Sequence, residues 1–333
     1  MVIENNCSNF VAEKIALMNM SSTDITEQLT NTIEELSTEQ SMKGIFHEHR
    51  DGDPLPSGRD LEEIIELSRS VIFPGFYGNS NVKQSTVRYH IGVNMERLHK
   101  LLTRQIMAGL LFNQDCHCSH SFEEQELCRK NAEIIALTVL KRYPDIRRML
   151  SSDVEAAFEG DPAAINEGEV ICCYPVIKAL TNYRIAHELY REEVPLIPRM
   201  MTELAHSETG IDIHPAATIG KHFTIDHGTG VVIGATCIIG ENVKLYQGVT
   251  LGAKSFPLDE NGKPIKGIPR HPIIGNNVII YANSTILGRI HIGDNCIVGA
   301  NVWVTRDMKA GTKKYRTAKP DKLDVFFEQG GGI

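Results

Sequence analysis

Long apolar runs are missing from this sequence. No stretch of 18 or more apolar residues occurs, so no transmembrane helix is expected. A basic excess is missing too. Net charge is −8, which excludes a general nucleic-acid binder with its positive face. A phosphate-bearing ligand stays possible, since that needs only a few local cations. Met1 to Phe10 lack a basic segment followed by an apolar core, so no secretory signal is expected. The eight cysteines lack a framework spacing and read as reduced thiols of a cytoplasmic protein. What remains, 42% apolar and 23% charged residues, is ordinary for a soluble globular chain. Its 333 residues suggest roughly two domains.

One tract invites a metal. Cys116, His117, Cys118 and His120 sit together in DCHCSH. Structural zinc sites pair two ligands with two more far along the chain, and no second pair is visible. A polar loop between helices is expected instead, and no metal.

The first half reads as helical. Ile91, Met95, Leu98, Leu102, Ile106 and Leu110 recur at helical steps, as do Ile134, Leu137 and Leu140, then Val176, Leu180 and Tyr183. Core packing explains all three stripes. Ser121 and Glu124 resemble a capping box, and Pro144 marks a helix end. Residues 47–58, rich in Gly, Pro and Asp, read as a linker.

Near residue 210 a period of six begins. Ile213, Ile219, Ile225 and Val231 lead; after a two-residue slip come Ile233, Ile239, Leu245 and Leu251. Beyond an interruption at 252–273, Ile274, Ile280, Ile286, Ile292, Val298 and Val304 follow without a break. Glycine often comes next, at 220, 234, 240, 252, 275, 293 and 299, where a tight corner would demand its backbone angles. Small or β-branched residues fill the fourth place after each aliphatic one, with Phe223 the exception. Such a repeat predicts a parallel β-helix. The expected fold class is α+β: an all-helical domain over 1–205 (1–60 an extension), a left-handed parallel β-helix over 206–310 with an extruded loop 252–273, and a tail over 311–333. The left hand comes from similar proteins, against the usual right-handed crossover.

The segment from Asp161 to Thr305 resembles the serine O-acetyltransferases. GDPAA (160–164), YRIAHELY (183–190), DIHPAATIG (212–220), DHGTGVVIG (226–234), YQGVTLGA (246–253) and RHP (270–272) carry the resemblance. It implies acetyl transfer from acetyl-CoA, a co-substrate and not a resident cofactor, to the hydroxyl of L-serine, the first step of cysteine biosynthesis.

Chemistry and motif match together suggest the roles. A serine hydroxyl needs a base as it attacks a thioester, and histidine suits neutral pH. The resemblance implies His227 as that base and Asp212 as its partner. It implies Arg270 and His271 at the substrate carboxylate, and Asp161 and Asp226 at the ammonium and hydroxyl end. A helix N-cap before Pro162 is the plainer reading of Asp161. Ala253 and Ala282 match positions that hydrogen-bond coenzyme A through the backbone. Lys313, Lys314 and Arg316 could meet its phosphates, or belong to a solvated tail. The coil position of Ile297, where some relatives carry lysine, is a departure.

The resemblance also implies assembly: a homotrimer with sites between neighbours, or a hexamer made of two trimers. Ile333, behind Gly330 to Gly332, matches a terminus that enters O-acetylserine sulfhydrylase; a chance isoleucine on a loose end is the other reading. Rival functions are a hexapeptide acyltransferase with a sugar or amine acceptor, a zinc carbonic anhydrase using His214, His222, His227 and His291, and a non-catalytic scaffold presenting the tail.

Overall fold

The computed structural model describes residues 20–48, 52–78, 81–112, 122–255 and 257–316. The DCHCSH tract, the Ser121 cap and Ile333 lie outside these. The chain divides into two compact units, Met1–Asp53 and Pro54–Ile333. In the first, α1 (Ser22–Leu36) opens on a reciprocal cap. Ser21 Oγ accepts from Asp24 N at 3.2 Å, and Asp24 accepts from Ser21 N at 3.0 Å. A short α2 (Glu39–Met42) follows.

The second unit begins with helices α3 (Gly58–Ile72), α4 (Val87–Phe112), α5 (Phe122–Lys141), α6 (Tyr143–Gly160), α7 (Glu167–Cys173), α8 (Pro175–Arg191) and α9 (Ile197–Thr209). Leu98, Leu102 and Ile106 of α4 are fully buried, as the helical stripe predicts. So are Leu180 of α8 and, nearly, Val176 and Tyr183. On α5 the expected stripe holds only at Leu140, which is buried. Ile134 is 64% exposed and Leu137 is exposed too, while Ala132, Ile135, Ala136 and Val139 are buried. The helix is apolar on two sides, and its small alanines let the neighbouring helices approach. Pro144 sits in the first turn of α6, where its missing N–H is no loss. No described helix is long and apolar enough to cross a membrane.

Among the described residues fourteen short strands follow, β1 (Asp212–Ile213) through β14 (Lys313–Lys314). Each pairs in parallel with the third strand along, except that β12 pairs with β14, giving three sheets: β1-β4-β7-β10-β13, β2-β5-β8-β11 and β3-β6-β9-β12-β14. They are called here the first, second and third sheets. The chain winds past all three in turn, a left-handed parallel β-helix. All fourteen repeating aliphatic residues are buried. The extruded loop leaves after β7 (Thr250–Gly252) and returns before β8 (Ile273–Ile274).

The repeat glycines need a different explanation from the one the sequence suggests. None of the seven has positive φ. Their reason is crowding between coils: a Cβ on Gly220 would lie 2.5 Å from Gly240 O, and one on Gly293 2.5 Å from Ala310 N. The left-handed angles go to other residues. His222, Asn242, Asn277 and Asn295, all with φ of 55–58°, stack at the corner between second and third sheets. Asparagine tolerates that region. Its amides also tie the coils: Asn242 Nδ2 donates to Asn277 Oδ1 at 2.8 Å, and Asn277 Nδ2 to Asn295 Oδ1 at 3.2 Å.

The lower end of the coil is plugged by α6 and α8. The first coil has no coil below it, so its carbonyls need other donors. Tyr183 Oη donates to Ala217 O at 2.6 Å, and Arg184 Nη2 to Gly220 O at 3.0 Å. His187 Nδ1 lies 2.8 Å from Pro215 O. The exceptional Phe223 is fully buried at this junction. At the other end, β14 pairs with β12 (Ile297–Val298). Lys313 and Lys314 therefore form the last strand, past the expected boundary at 310. That coil hides from a hydrophobic pattern because it uses lysine stems in place of aliphatic residues.

Candidate active site

The two-residue slip in the repeat has a structural meaning. Between β3 (Thr224–Asp226) and β4 (Val232–Ile233) the corner joining third to first sheet is widened. His227 takes φ 58°, with Gly228 and Gly230 at 91° and 81°. A Cβ on Gly228 would lie 2.5 Å from Ile211 Cδ1, so glycine is required there twice over. The widened corner lifts the His227 side chain into the open, 54% exposed, with Nε2 3.8 Å from Asp226 Oδ1.

Asp161 arrives from the helical layer. It follows the C-terminus of α6 and does not cap a helix N-terminus, so the plainer sequence reading fails. Its Oδ1 accepts from Ala163 N at 2.8 Å, closing a local turn. Its Oδ2 accepts from the Tyr174 hydroxyl. That hydroxyl, then the Ala163 amide, hold the carboxyl below its ordinary pKa. Hydrogen bonding to the same carboxylate pushes the phenol of Tyr174 up. Lys244 joins the two layers: Nζ donates to Gly160 O at 2.5 Å and lies 3.5 Å from Asp226 Oδ2. Asp161, Asp226 and His227 thus meet around one corner.

Asp212 starts β1, one coil below His227 at the same corner; Gly230 N donates to Gly210 O at 2.9 Å across the step. Its carboxylate pairs with Arg199 of α9, Nη1 to Oδ1 at 3.1 Å. Glu203, His206 and Asp212 come close enough to suggest a metal. Arg199 accounts for the grouping, since it pairs with both carboxylates, and His206 Nδ1 lies 3.1 Å from Glu203.

Arg270 and His271 occupy the other edge of the first sheet, where it turns into the second. Thr236 holds them. Its Oγ1 accepts from Arg270 N at 2.9 Å and His271 N at 3.1 Å, while Thr236 N donates to His271 Nδ1 at 3.0 Å. Arg289 Nη1 donates to Thr236 O at 2.6 Å and His271 O at 3.0 Å. The buried His271 ring lies over Gly234, where a Cβ would strike it at 2.1 Å. Burial, helped by Arg270, pushes its pKa down to about 4. At neutral pH it is an uncharged ring with Nδ1 accepting, so Nε2 carries the proton.

The four positions expected to meet coenzyme A are dispersed. Ala282 is buried at the His227 corner and Ala253 lies near the His271 edge, while Lys313 and Lys314 form the top of the third sheet. Sequence reading missed Lys244, Tyr174, Arg199, Thr236 and Arg289. GDPAA and DIHP flag their neighbours, but nothing local marks these partners. The four histidines of the carbonic anhydrase reading sit apart: His214 at the first–second corner, His222 at the second–third, His227 at the third–first and His291 on the second sheet.

Comparisons fit this geometry. The family model for the bacterial transferase hexapeptide (six repeats) matches residues 271–306. A plasmid serine acetyltransferase of Synechococcus elongatus is 46% identical over 282 residues, 84% of this chain and 86% of its own. Serine acetyltransferase 1 of Entamoeba histolytica, solved with L-cysteine, superposes with a TM-score of 0.64 at 34% identity, covering 85% of this chain and 94% of its own. The soybean enzyme, solved with serine, gives 0.50 at 28%, covering 79% of this chain and 98% of its own. A close sequence relative matched over most of both lengths, on a shared helix-then-coil fold, fixes the family: the chain belongs to the serine acetyltransferases.

Proposed function

We propose that the chain transfers acetyl from acetyl-CoA to the hydroxyl of L-serine, giving O-acetyl-L-serine and CoA for cysteine biosynthesis. His227 takes the hydroxyl proton as the oxygen attacks the thioester carbonyl. The tetrahedral intermediate collapses, the C–S bond breaks, and the imidazolium returns the proton to the departing thiolate. Asp212, steadied by Arg199, favours the imidazolium from one coil below. Asp161 and Asp226 receive the substrate ammonium. Arg270 grips the carboxylate, with His271 adding a neutral N–H donor. Acetyl-CoA runs along the coil, past backbone at Ala253 and Ala282, with Lys313 and Lys314 toward its phosphates.

The observation that carries this reading is the meeting of Asp161, Asp226 and the exposed His227 at one widened corner. The names of the relatives supply serine, and the chemistry of an ammonium and a hydroxyl suits two carboxylates beside an imidazole. Arg270 and His271 lie at the opposite edge of the same sheet. A homotrimer, alone or paired into a hexamer, would bring the His227 edge of one chain against the Arg270 edge of the next. The reaction is placed in the cytoplasm. O-acetylserine sulfhydrylase is the proposed partner of Ile333.

Thiol release from acetyl-CoA, with and without L-serine, tests the reading. Release that needs serine, and not a sugar or amine acceptor, is expected. Release driven equally by another acceptor would move the chain to a different acyltransferase.

A further inference from the structure

We propose that Lys244 is a positioning residue, setting the spacing of the two carboxylates, Asp161 and Asp226, that receive the substrate ammonium; this rests on the serine reading above. Its Nζ engages three separate pieces. It donates to Gly160 O at 2.5 Å, the carbonyl that ends α6. It lies 3.5 Å from Asp226 Oδ2 on the third sheet. It also sits over the Tyr246 ring, 4.6 Å from the centroid. Tyr246 in turn stacks on Tyr281 of the next coil, with centroids 4.9 Å apart and planes 14° from parallel. Both rings are buried.

The need for such a residue follows from where Asp161 stands. It leaves the helix in extended conformation immediately after Gly160, so a helix end carries it and the coil does not. A helix C-terminus presents unsatisfied carbonyls and a negative partial charge. Set beside two carboxylates, it would be repelled. Lys244 puts a positive charge among all three. A lysine on a sheet face is ordinarily mobile. Here the stacked tyrosines hold the ammonium by its attraction to the ring face, and the side chain is only 18% exposed.

Two opposing effects would follow from removing the amine. Less positive charge would draw the substrate ammonium in more strongly. Loss of the tether would let the helix end, and Asp161 with it, drift from Asp226. The tether dominates. The amine's short, directional contact is with the helix carbonyl, whereas Asp226 Oδ2 lies a full 3.5 Å away, beyond hydrogen-bond reach.

The test is steady-state kinetics on the full chain. Lys244→Met should raise KM for serine about tenfold, as expected for loss of a charge-assisted hydrogen bond, and leave KM for acetyl-CoA within about twofold. Lys244→Arg should restore most of the serine KM. Tyr281→Leu keeps the amine but removes the upper ring, and should raise serine KM less than Lys244→Met does. An unchanged or lowered serine KM in Lys244→Met overturns the proposal while leaving acetyl transfer to serine intact. A parent protein without serine-dependent thiol release would instead overturn the functional reading itself.

Discussion

Arg184 and Asp153 form a buried, two-pronged ion pair beneath the first coil. Arg184 Nε donates to Asp153 Oδ2 at 2.7 Å and Nη2 to Oδ1 at 2.9 Å. The pair then spends its remaining capacity on the coil: Asp153 Oδ1 accepts from Phe223 N at 3.0 Å, and Arg184 reaches Gly220 O. Burial pushes the Asp153 carboxyl up and the guanidinium opposes it, so an unpaired Asp153 would be costly. Arg184→Met should therefore destabilise the protein by about 3–5 kcal/mol, the cost of stranding a buried charge. Chemical denaturation would show it. A loss well under 1 kcal/mol would mean the junction is wetter than described.

The glycine and asparagine corners make opposite predictions. Gly220→Ala drives a Cβ to 2.5 Å from the backbone of the next coil, although its φ is ordinary. It should cost about 1–3 kcal/mol through overpacking. Asn242→Gly keeps the left-handed angle available and loses two exposed side-chain links, to Asn277 and to His222, each worth about 0.5 kcal/mol, so it should cost about 1 kcal/mol. Melting curves of both variants decide the matter. A tolerated Gly220→Ala would restore the explanation from backbone angles.

Tyr174 helps Asp161 stay ionised to lower pH. Its hydroxyl is the first cause of the lowered Asp161 pKa, so Tyr174→Phe lets that carboxyl protonate at a higher pH. The protonated form cannot pair with an ammonium. The pH below which KM for serine rises should then move upward, since that rise follows protonation of the ammonium's partner. A pH profile identical to that of the parent would separate Tyr174 from the serine site.

His271 should register in the pH dependence of stability. Its folded pKa, about 4, lies below the ordinary histidine value of 6.5, so the unfolded chain binds more protons between those values. The stabilisation is fully present above pH 6.5 and is lost as pH falls toward 4. Measured against His271→Gln, the advantage of the parent should shrink across that window and stay flat above it. An advantage that grew on acidification would require a protonated His271 in the fold.

The coil was legible because its period is written by backbone geometry, one inward aliphatic residue per flat strand. Even the two-residue slip was visible, though only the structure shows it widening the His227 corner. The glycines misled because the atoms they avoid, such as Gly240 O above Gly220, belong to another coil. Lys244 escaped notice for a similar reason: its partner Gly160 is 84 residues away. Thr236 and Arg289 clamp a loop whose return point no local pattern specifies. YRIAHELY marked the family, yet its Tyr183, Arg184 and His187 serve to close the first coil. On α5, apolar residues on two faces left the choice to packing.

The most direct test of the account is serine-dependent thiol release by His227→Ala. The ring is exposed on a corner already held by Gly228 and Gly230, so the variant should fold and still bind acetyl-CoA. Its kcat with serine should fall about 100- to 10,000-fold, the contribution of a positioned general base. Turnover near that of the parent would contradict the assignment of His227, and with it the mechanism built on this corner.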